Sequence, residues 1–176
     1  MPKLETGIVQ VYTGDGKGKT SAAFGLALRA IGRELRVYII QFIKGGFDYG
    51  ELHVLNKLPN LTLKAFGRGK FVTAKPPEVV DVKFAQEAFT LAKEVVQSGE
   101  YDLVILDEVN VALDLKLIDL EEVLKLIKGK PGKVELVLTG RHAPNEVVEV
   151  ADLVTEMKEV KHPFNKGVQA RKGIEY

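Results

Sequence analysis

At 176 residues the chain is long enough for one domain with a full core and too short for two. The balance of 25 Lys and Arg against 24 Asp and Glu leaves a net charge of +1, which gives no bulk electrostatic pull toward nucleic acid or an anionic membrane. With no cysteine, thiol catalysis, disulfides and thiolate metal sites are excluded; the first residues lack the apolar stretch of a signal peptide, no run nears the roughly 20 apolar residues of a membrane span, and the expectation is a cytoplasmic protein.

Short β-branched runs alternate with longer amphipathic stretches, the pattern of an α/β domain with a mostly parallel sheet. Residues 8–12 read as the first strand. A helix follows over 20–31, with Ala, Leu and Phe at helical spacing and Gly32 as its stop. A second strand covers 36–41, and the loop 44–50 carries Gly45, Gly46 and Gly50. A short helix over 51–58 ends at Pro59, and 61–65 is a third strand. After the irregular stretch 67–77, a long helix runs over 78–97 and closes at Gly99. The apolar strand 103–106 ends in Asp107 and Glu108, and is expected to lie beside the first strand. Asp119 caps a further helix, with Glu122 three residues on and Gly129 after its end. A strand over 134–138, a short helix from Asn145 and a last strand over 153–157 complete the sheet. The polar segment 158–176 is either a frayed terminus or a lid. Residues 1–176 thus read as a single α/β domain of the P-loop NTPase-like kind, its parallel sheet flanked by helices.

The junction of the first strand and helix reads Thr13-Gly14-Asp15-Gly16-Lys17-Gly18-Lys19-Thr20-Ser21. A strand, a glycine-rich turn, Gly-Lys-Thr and a helix make a phosphate-binding loop. Glycines let backbone N–H groups converge on phosphate oxygens, the helix points its positive end at the anion, and Lys19 adds a full charge. The Thr20 hydroxyl can ligate magnesium. One departure is visible: the usual pattern opens on glycine, where this chain has Thr13. Lys17 is either a second phosphate contact or a solvated loop lysine.

Downstream, Asp107 is the expected magnesium ligand. Glu108 would orient a water in a hydrolase, or join the metal shell in a group-transfer enzyme. Arg141, in the Thr139-Gly140-Arg141 turn, follows a strand at the same sheet edge as the phosphate loop, and either reaches phosphate or ribose or is a surface charge. Phe66, Arg68, Lys70 and Phe71 form a loop that mixes aromatic and basic residues with glycine; it either clamps a large planar ligand or is an exposed mobile loop, as are Lys44, Phe47 and Tyr49. His53, His142 and His162 show no metal-ligand spacing, and none is assigned catalysis.

Taken in order, these segments resemble the ATP:corrinoid adenosyltransferases. The resemblance rests on 13–23, Gln41-Phe42-Ile43-Lys44-Gly45, Leu106-Asp107-Glu108 and Leu138-Thr139-Gly140-Arg141 with Ala143-Pro144. It continues through Ala151-Asp152-Leu153-Val154-Thr155-Glu156-Met157, Lys161-His162-Pro163, Gly167-Val168-Gln169-Ala170 and Gly173-Ile174-Glu175-Tyr176. The resemblance implies that a cobalt(I) corrinoid attacks the 5′ carbon of ATP and that triphosphate leaves. No side-chain base is then needed, and Lys19 and Arg141 act by positioning. It further implies ATP lying reversed in the loop, with Thr13 to Ser21 and Arg141 as the nucleotide-binding set, Gly14 to Thr20 holding the triphosphate, and Thr20, Asp107 and Glu108 holding Mg2+ or Mn2+. An electron donor for cobalt and a homodimer are implied as partners. Relatives place a Phe-x-Trp pair after a Gly-x-Gly turn on the corrin side; here Gly67-Arg68-Gly69 leads into Lys70-Phe71-Val72, and the chain has no tryptophan. Cleavage of the terminal phosphate by a P-loop ATPase or kinase is the alternative activity.

Overall fold

A computed structural model of the chain describes residues 4–55, 57–70, 72 and 76–176. Six strands form one parallel sheet: β1 (Val9–Thr13), β2 (Val37–Gln41), β3 (Leu61–Ala65), β4 (Leu103–Asp107), β5 (Glu135–Thr139) and β6 (Leu153–Glu156). Their spatial order is β3-β2-β4-β5-β1-β6. The helices are α1 (Lys19–Ile31), α2 (Leu52–Leu55), α3 (Val79–Ser98), α4 (Val109–Asp114), α5 (Leu120–Gly129) and α6 (Asn145–Val150), with a 3-10 turn over Pro163–Lys166.

Strands buried on both faces read as continuous apolar runs, and alternate residues feed opposite layers. Ile39, Leu103, Ile105 and Val137 pack beneath Ala23, Phe24, Ala27 and Ala30 of α1. Ile40, Val104, Leu106 and Leu138 face the other way, against Ala85, Ala88, Phe89 and Ala92 of α3 and the apolar sides of α4 and α5. β2 and β4 are wholly buried and form the centre, while β6 is exposed along its length at one edge.

Most elements lie within a residue or two of their expected positions, and β3 coincides with its expected span. Asp119 caps α5 by accepting the Glu122 N–H at 3.0 Å. Gly129 is the last residue of α5 rather than the residue beyond it, since the chain turns extended only at Lys130 before Pro131. The single-turn α4 was not expected: its six residues lie directly behind the acidic strand end, too short a run for periodicity to mark.

Strand order departs from expectation in one respect. β4 does not lie beside β1, because β5 pairs with both and separates them. Asp107 still meets the start of α1, which packs over β5 and β4 and whose Thr20 donates to the carboxylate at 2.9 Å. All six strands therefore deliver their carboxyl ends to one edge, where an open α/β sheet binds ligands.

Ile105 is fully buried at the centre of this arrangement. Ile105→Ala should lower unfolding free energy by about 2–5 kcal/mol through lost burial and a residual cavity, read as a lower urea midpoint with an unchanged m-value.

Candidate functional site

The loop between β1 and α1 is shaped by glycines that admit close backbone neighbours. Gly14 has φ +92°, and a Cβ there would lie 2.5 Å from the Met157 carbonyl oxygen. At Gly16 a Cβ would come within 2.6 Å of the same oxygen, and the Gly16 N–H donates to it at 2.6 Å. The chain leaving β6 thus buttresses the loop from outside. Thr13, the departure from the glycine pattern, accepts the Ala143 N–H on its hydroxyl at 3.2 Å and ties the loop to the turn after β5. Gly14 supplies the backbone freedom that Thr13 lacks.

Lys19 is buried and donates from Nζ to the carbonyl oxygens of Gly14 (2.6 Å) and Gly16 (2.7 Å). Burial, reinforced by the charge of Arg141, lowers its pKa. Thr20 opens the first turn of α1, and its hydroxyl donates to Asp107 Oδ1 at 2.9 Å.

The Asp107 carboxylate is fully buried and accepts four hydrogen bonds. Thr20 and Thr139 (2.6 Å) donate to Oδ1, and Gln41 Nε2 (3.1 Å) and Lys44 Nζ (2.8 Å) to Oδ2. Burial alone would raise its pKa, but Lys44 and the hydroxyl and amide donors outweigh burial and hold it below the usual carboxylate range. Lys44 also stands 2.9 Å from Thr20 Oγ1 and 3.4 Å from Glu108 Oε1. Burial would lower the Lys44 pKa, and the two carboxylates reverse this and keep the ammonium firmly charged. Glu108 has the opposite balance: burial and the adjoining Asp107 raise its pKa.

Two backbone positions aim these groups. Ile43 has φ +54° and Glu108 φ +63°, both left-handed, an unfavourable choice for any side chain and most so for a β-branched one. At Glu108 the conformation is held in part by its N–H, which donates to Thr139 Oγ1 at 3.0 Å.

A cavity of about 580 Å³ opens over these groups. Gly16, Lys17, Gly18, Lys19, Thr20 and Ser21 form its floor, Lys44, Tyr49, Glu108 and Arg141 its walls, and Gly173, Ile174, Glu175 and Tyr176 its rim. Its volume lies within the range of small-molecule sites. Lys17 turns to the rim: Nζ meets Glu175 Oε1 at 3.0 Å and the Ile174 carbonyl at 3.2 Å. Segment 158–176 thereby reaches the cavity mouth through its last residues. Asp15 turns out to solvent, 3.7 Å from His142 Nε2, and His142 also contacts Asp114 at 3.1 Å. His162 reaches the cavity wall, but its Nδ1 accepts the Phe164 N–H and caps the 3-10 turn. His53 pairs with Asp48 on the surface.

The corrin-side candidates do not converge on this cavity. Arg68 grips α3 instead, pairing Nε with Asp81 Oδ1 at 2.8 Å and Nη2 with Glu78 Oε1 at 2.6 Å, which raises its pKa. Lys70 lines a small separate cleft with Arg68, Asp81 and Phe84. Phe66 borders an open groove with Lys64 and Lys83, and Phe71 lies outside the described residues. The two glycine loops are laced together: Gly45 donates to the Phe66 carbonyl at 2.7 Å, and Gly69 to the Gly45 carbonyl at 2.6 Å.

The residues sequence reasoning passed over are Gln41 and Thr139 as partners of Asp107, and Lys44 at its centre. Lys44 was visible only as one basic residue in a glycine loop. Its partners stand 24 and 63 positions away, a distance no local pattern bridges.

Chemically, Thr20 Oγ1, Asp107 Oδ2 and Glu108 Oε1 present oxygens to one point that a cation, the Lys44 ammonium, occupies. This hard oxygen set suits magnesium, which takes one or two carboxylates and completes its shell with phosphate and water. Among the described residues no three His, Asp or Glu side chains group so as to hold a metal ion by themselves. Lys19, Lys44 and Arg141 give the cavity the positive wall that a polyphosphate requires.

The family model for ATP:corrinoid adenosyltransferase BtuR/CobO/CobP matches residues 5–176. A corrinoid adenosyltransferase of Sinorhizobium sp. is 39% identical over 174 residues, covering 98% of this chain and 81% of that protein. One from Pseudomonas aeruginosa is 38% identical over 173 residues (98% and 85%), and one from Escherichia coli K12 is 36% identical over 172 (98% and 87%).

Thr139 is fully buried and holds both acids, donating to one and accepting from the backbone of the other. Thr139→Val keeps the shape and strands both partners. It should cost about 1–3 kcal/mol of stability in urea unfolding, more than a valine substitution at a solvated threonine such as Thr90.

Proposed function

The chain belongs to the ATP:corrinoid adenosyltransferase family, and we propose that it transfers the 5′-deoxyadenosyl group of ATP to the cobalt of a reduced corrinoid, releasing triphosphate. The electron pair of cobalt(I) forms the Co–C bond to the 5′ carbon. The C5′–O bond breaks, its electrons leave on the triphosphate, and cobalt ends formally as cobalt(III). The nucleophile needs no deprotonation, so the protein's task is orientation and stabilisation of the departing charge.

The observation that carries this reading is the full-length family match laid over a cavity whose floor is the glycine-rich loop and whose lining includes Lys19, Lys44 and Arg141. In this reading residues 13–21 cradle the triphosphate, with Lys19 moving from the Gly14 and Gly16 carbonyls to phosphate oxygens. Arg141 holds the nucleotide from the opposite wall. Thr20, Asp107 and Glu108 hold Mg2+ or Mn2+, which neutralises leaving-group charge when bound. Asp107 acts as much by fixing Thr20 as by direct ligation, since four protein donors already engage its oxygens. The corrin lies outward of the laced loops, with Phe66, Arg68 and Lys70 as candidate contacts; Phe71, outside the described residues, remains a candidate by its sequence alone. The full reading is a single domain over 1–176, closed at its rim by the C-terminal segment. It acts as a cytoplasmic homodimer with an external electron donor for cobalt. No helix among the described residues is long and apolar enough to cross a membrane.

Incubation with ATP, Mg2+ and a chemically reduced corrinoid should yield triphosphate and a light-sensitive adenosyl-corrinoid in equal amounts. Release of ADP and phosphate instead would overturn the reading in favour of terminal-phosphate cleavage. Lys19→Ala should lower kcat/KM at least a hundredfold, about 2.7 kcal/mol of transition-state stabilisation, with an unchanged circular-dichroism spectrum. Retention of activity would remove the phosphate loop from the reaction.

A further inference from the structure

The Lys44 ammonium is nearly dry and sits at the one point that Thr20 Oγ1, Asp107 Oδ2 and Glu108 Oε1 share, at 2.9, 2.8 and 3.4 Å. These are the oxygens that the proposed function gives to the divalent ion. The residue before Lys44 and the residue after Asp107 both carry left-handed backbone, so strain is concentrated on the two positions that bring the charges together. A lysine that merely neutralised Asp107 would not need to reach the Thr20 hydroxyl and Glu108 as well.

We propose that Lys44 is a tethered cation that occupies the metal position of the nucleotide-free protein and is displaced when a nucleotide brings its divalent ion. The inference rests on the reading of Thr20, Asp107 and Glu108 as the metal-holding set. Ammonium–oxygen distances near 2.9 Å and magnesium–oxygen distances of about 2.0–2.1 Å cannot be met by the same three oxygens around the same point. One cation excludes the other. A free metal ion gains too little from two carboxylates already paired to lysine. An ion carried by a triphosphate arrives with phosphate ligands, and the released ammonium finds new partners in the phosphate oxygens. The Tyr49 ring, 5.7 Å from Nζ, offers a face along the way. Lys44 would then serve twice, keeping a buried acid compensated before substrate arrives and adding a positive charge to the leaving group afterwards. It is a positioning residue for metal and triphosphate, and it makes metal uptake conditional on nucleotide.

The test is Mn2+ binding to the corrinoid-free protein, followed by the electron paramagnetic resonance signal of free Mn2+. Wild type should bind Mn2+ weakly alone and at least a hundredfold more tightly with ATP. Lys44→Gln, which keeps a donor for Asp107 and removes the charge, should bind Mn2+ alone at least tenfold more tightly than wild type. Lys44→Arg, which keeps the charge, should still exclude it. Equal Mn2+ affinity in Lys44→Gln and wild type, with Mn2+-ATP binding intact, overturns the tethered-cation role and leaves the metal site standing. Failure of wild type to bind Mn2+ even with ATP overturns both. A second readout uses the wild type itself: the Lys44 ammonium 15N resonance, assigned by its loss in Lys44→Arg, should move on addition of Mg2+-ATP and not of Mg2+ alone. An unmoved resonance with nucleotide bound refutes displacement.

Discussion

A single buried carboxylate holds the site together. Asp107 draws donors from four parts of the chain: the start of α1, the end of β2, the loop beyond it and the end of β5. A charge at that depth is tolerable only with a partner and a full set of hydrogen bonds. Each donor therefore has to arrive within a few tenths of an ångström, and the elements that carry them inherit that constraint. Thr20 sets the approach of α1 to the sheet. Thr139 sets the height of β5 beside β4 and, through the Glu108 N–H, the turn that follows β4. The phosphate loop is braced separately, by Thr13 on one side and by the Met157 carbonyl on the other.

What could be read in advance followed the range of the signal. The phosphate loop is a contiguous chemical pattern, and the strands are short apolar runs closed by turn residues, so both lay where expected. The order of strands is a different kind of information. Nothing between residues 103 and 107 says that β5 will insert between β4 and β1, because that pairing is made with residues 9–12 and 135–139, far away in the chain. The same holds for the site. Lys19 and Thr20 belong to the motif that announces them, whereas Lys44 acquires its meaning from Asp107, 63 residues later. Arg68 shows the reverse case. Its loop was open to two readings, a clamp on a planar ligand or an exposed loop, and only the fold shows that Arg68 pairs with Glu78 and Asp81 at the start of α3.

The glycine loops after β2 and β3 behave as one structural unit. Gly45 donates its N–H to the Phe66 carbonyl and accepts the Gly69 N–H on its own, and a Cβ at Gly45 would lie 2.5 Å from the Gly67 nitrogen. The backbone that carries Lys44 is therefore continuous, through hydrogen bonds, with the backbone that carries Arg68 and Lys70.

The rim of the cavity also fixes how the protein interacts with light. With no tryptophan, its ultraviolet emission comes from five tyrosines. Tyr38 and Tyr101 stack edge-to-face with centroids 4.9 Å apart, and the Tyr12 hydroxyl is engaged by Gln10, both away from the cavity. Tyr49 and Tyr176 stand on its wall and rim. A ligand seated in the cavity would alter the emission of these two more than that of the remote three, so the chain carries its own optical reporter of occupancy without an added label.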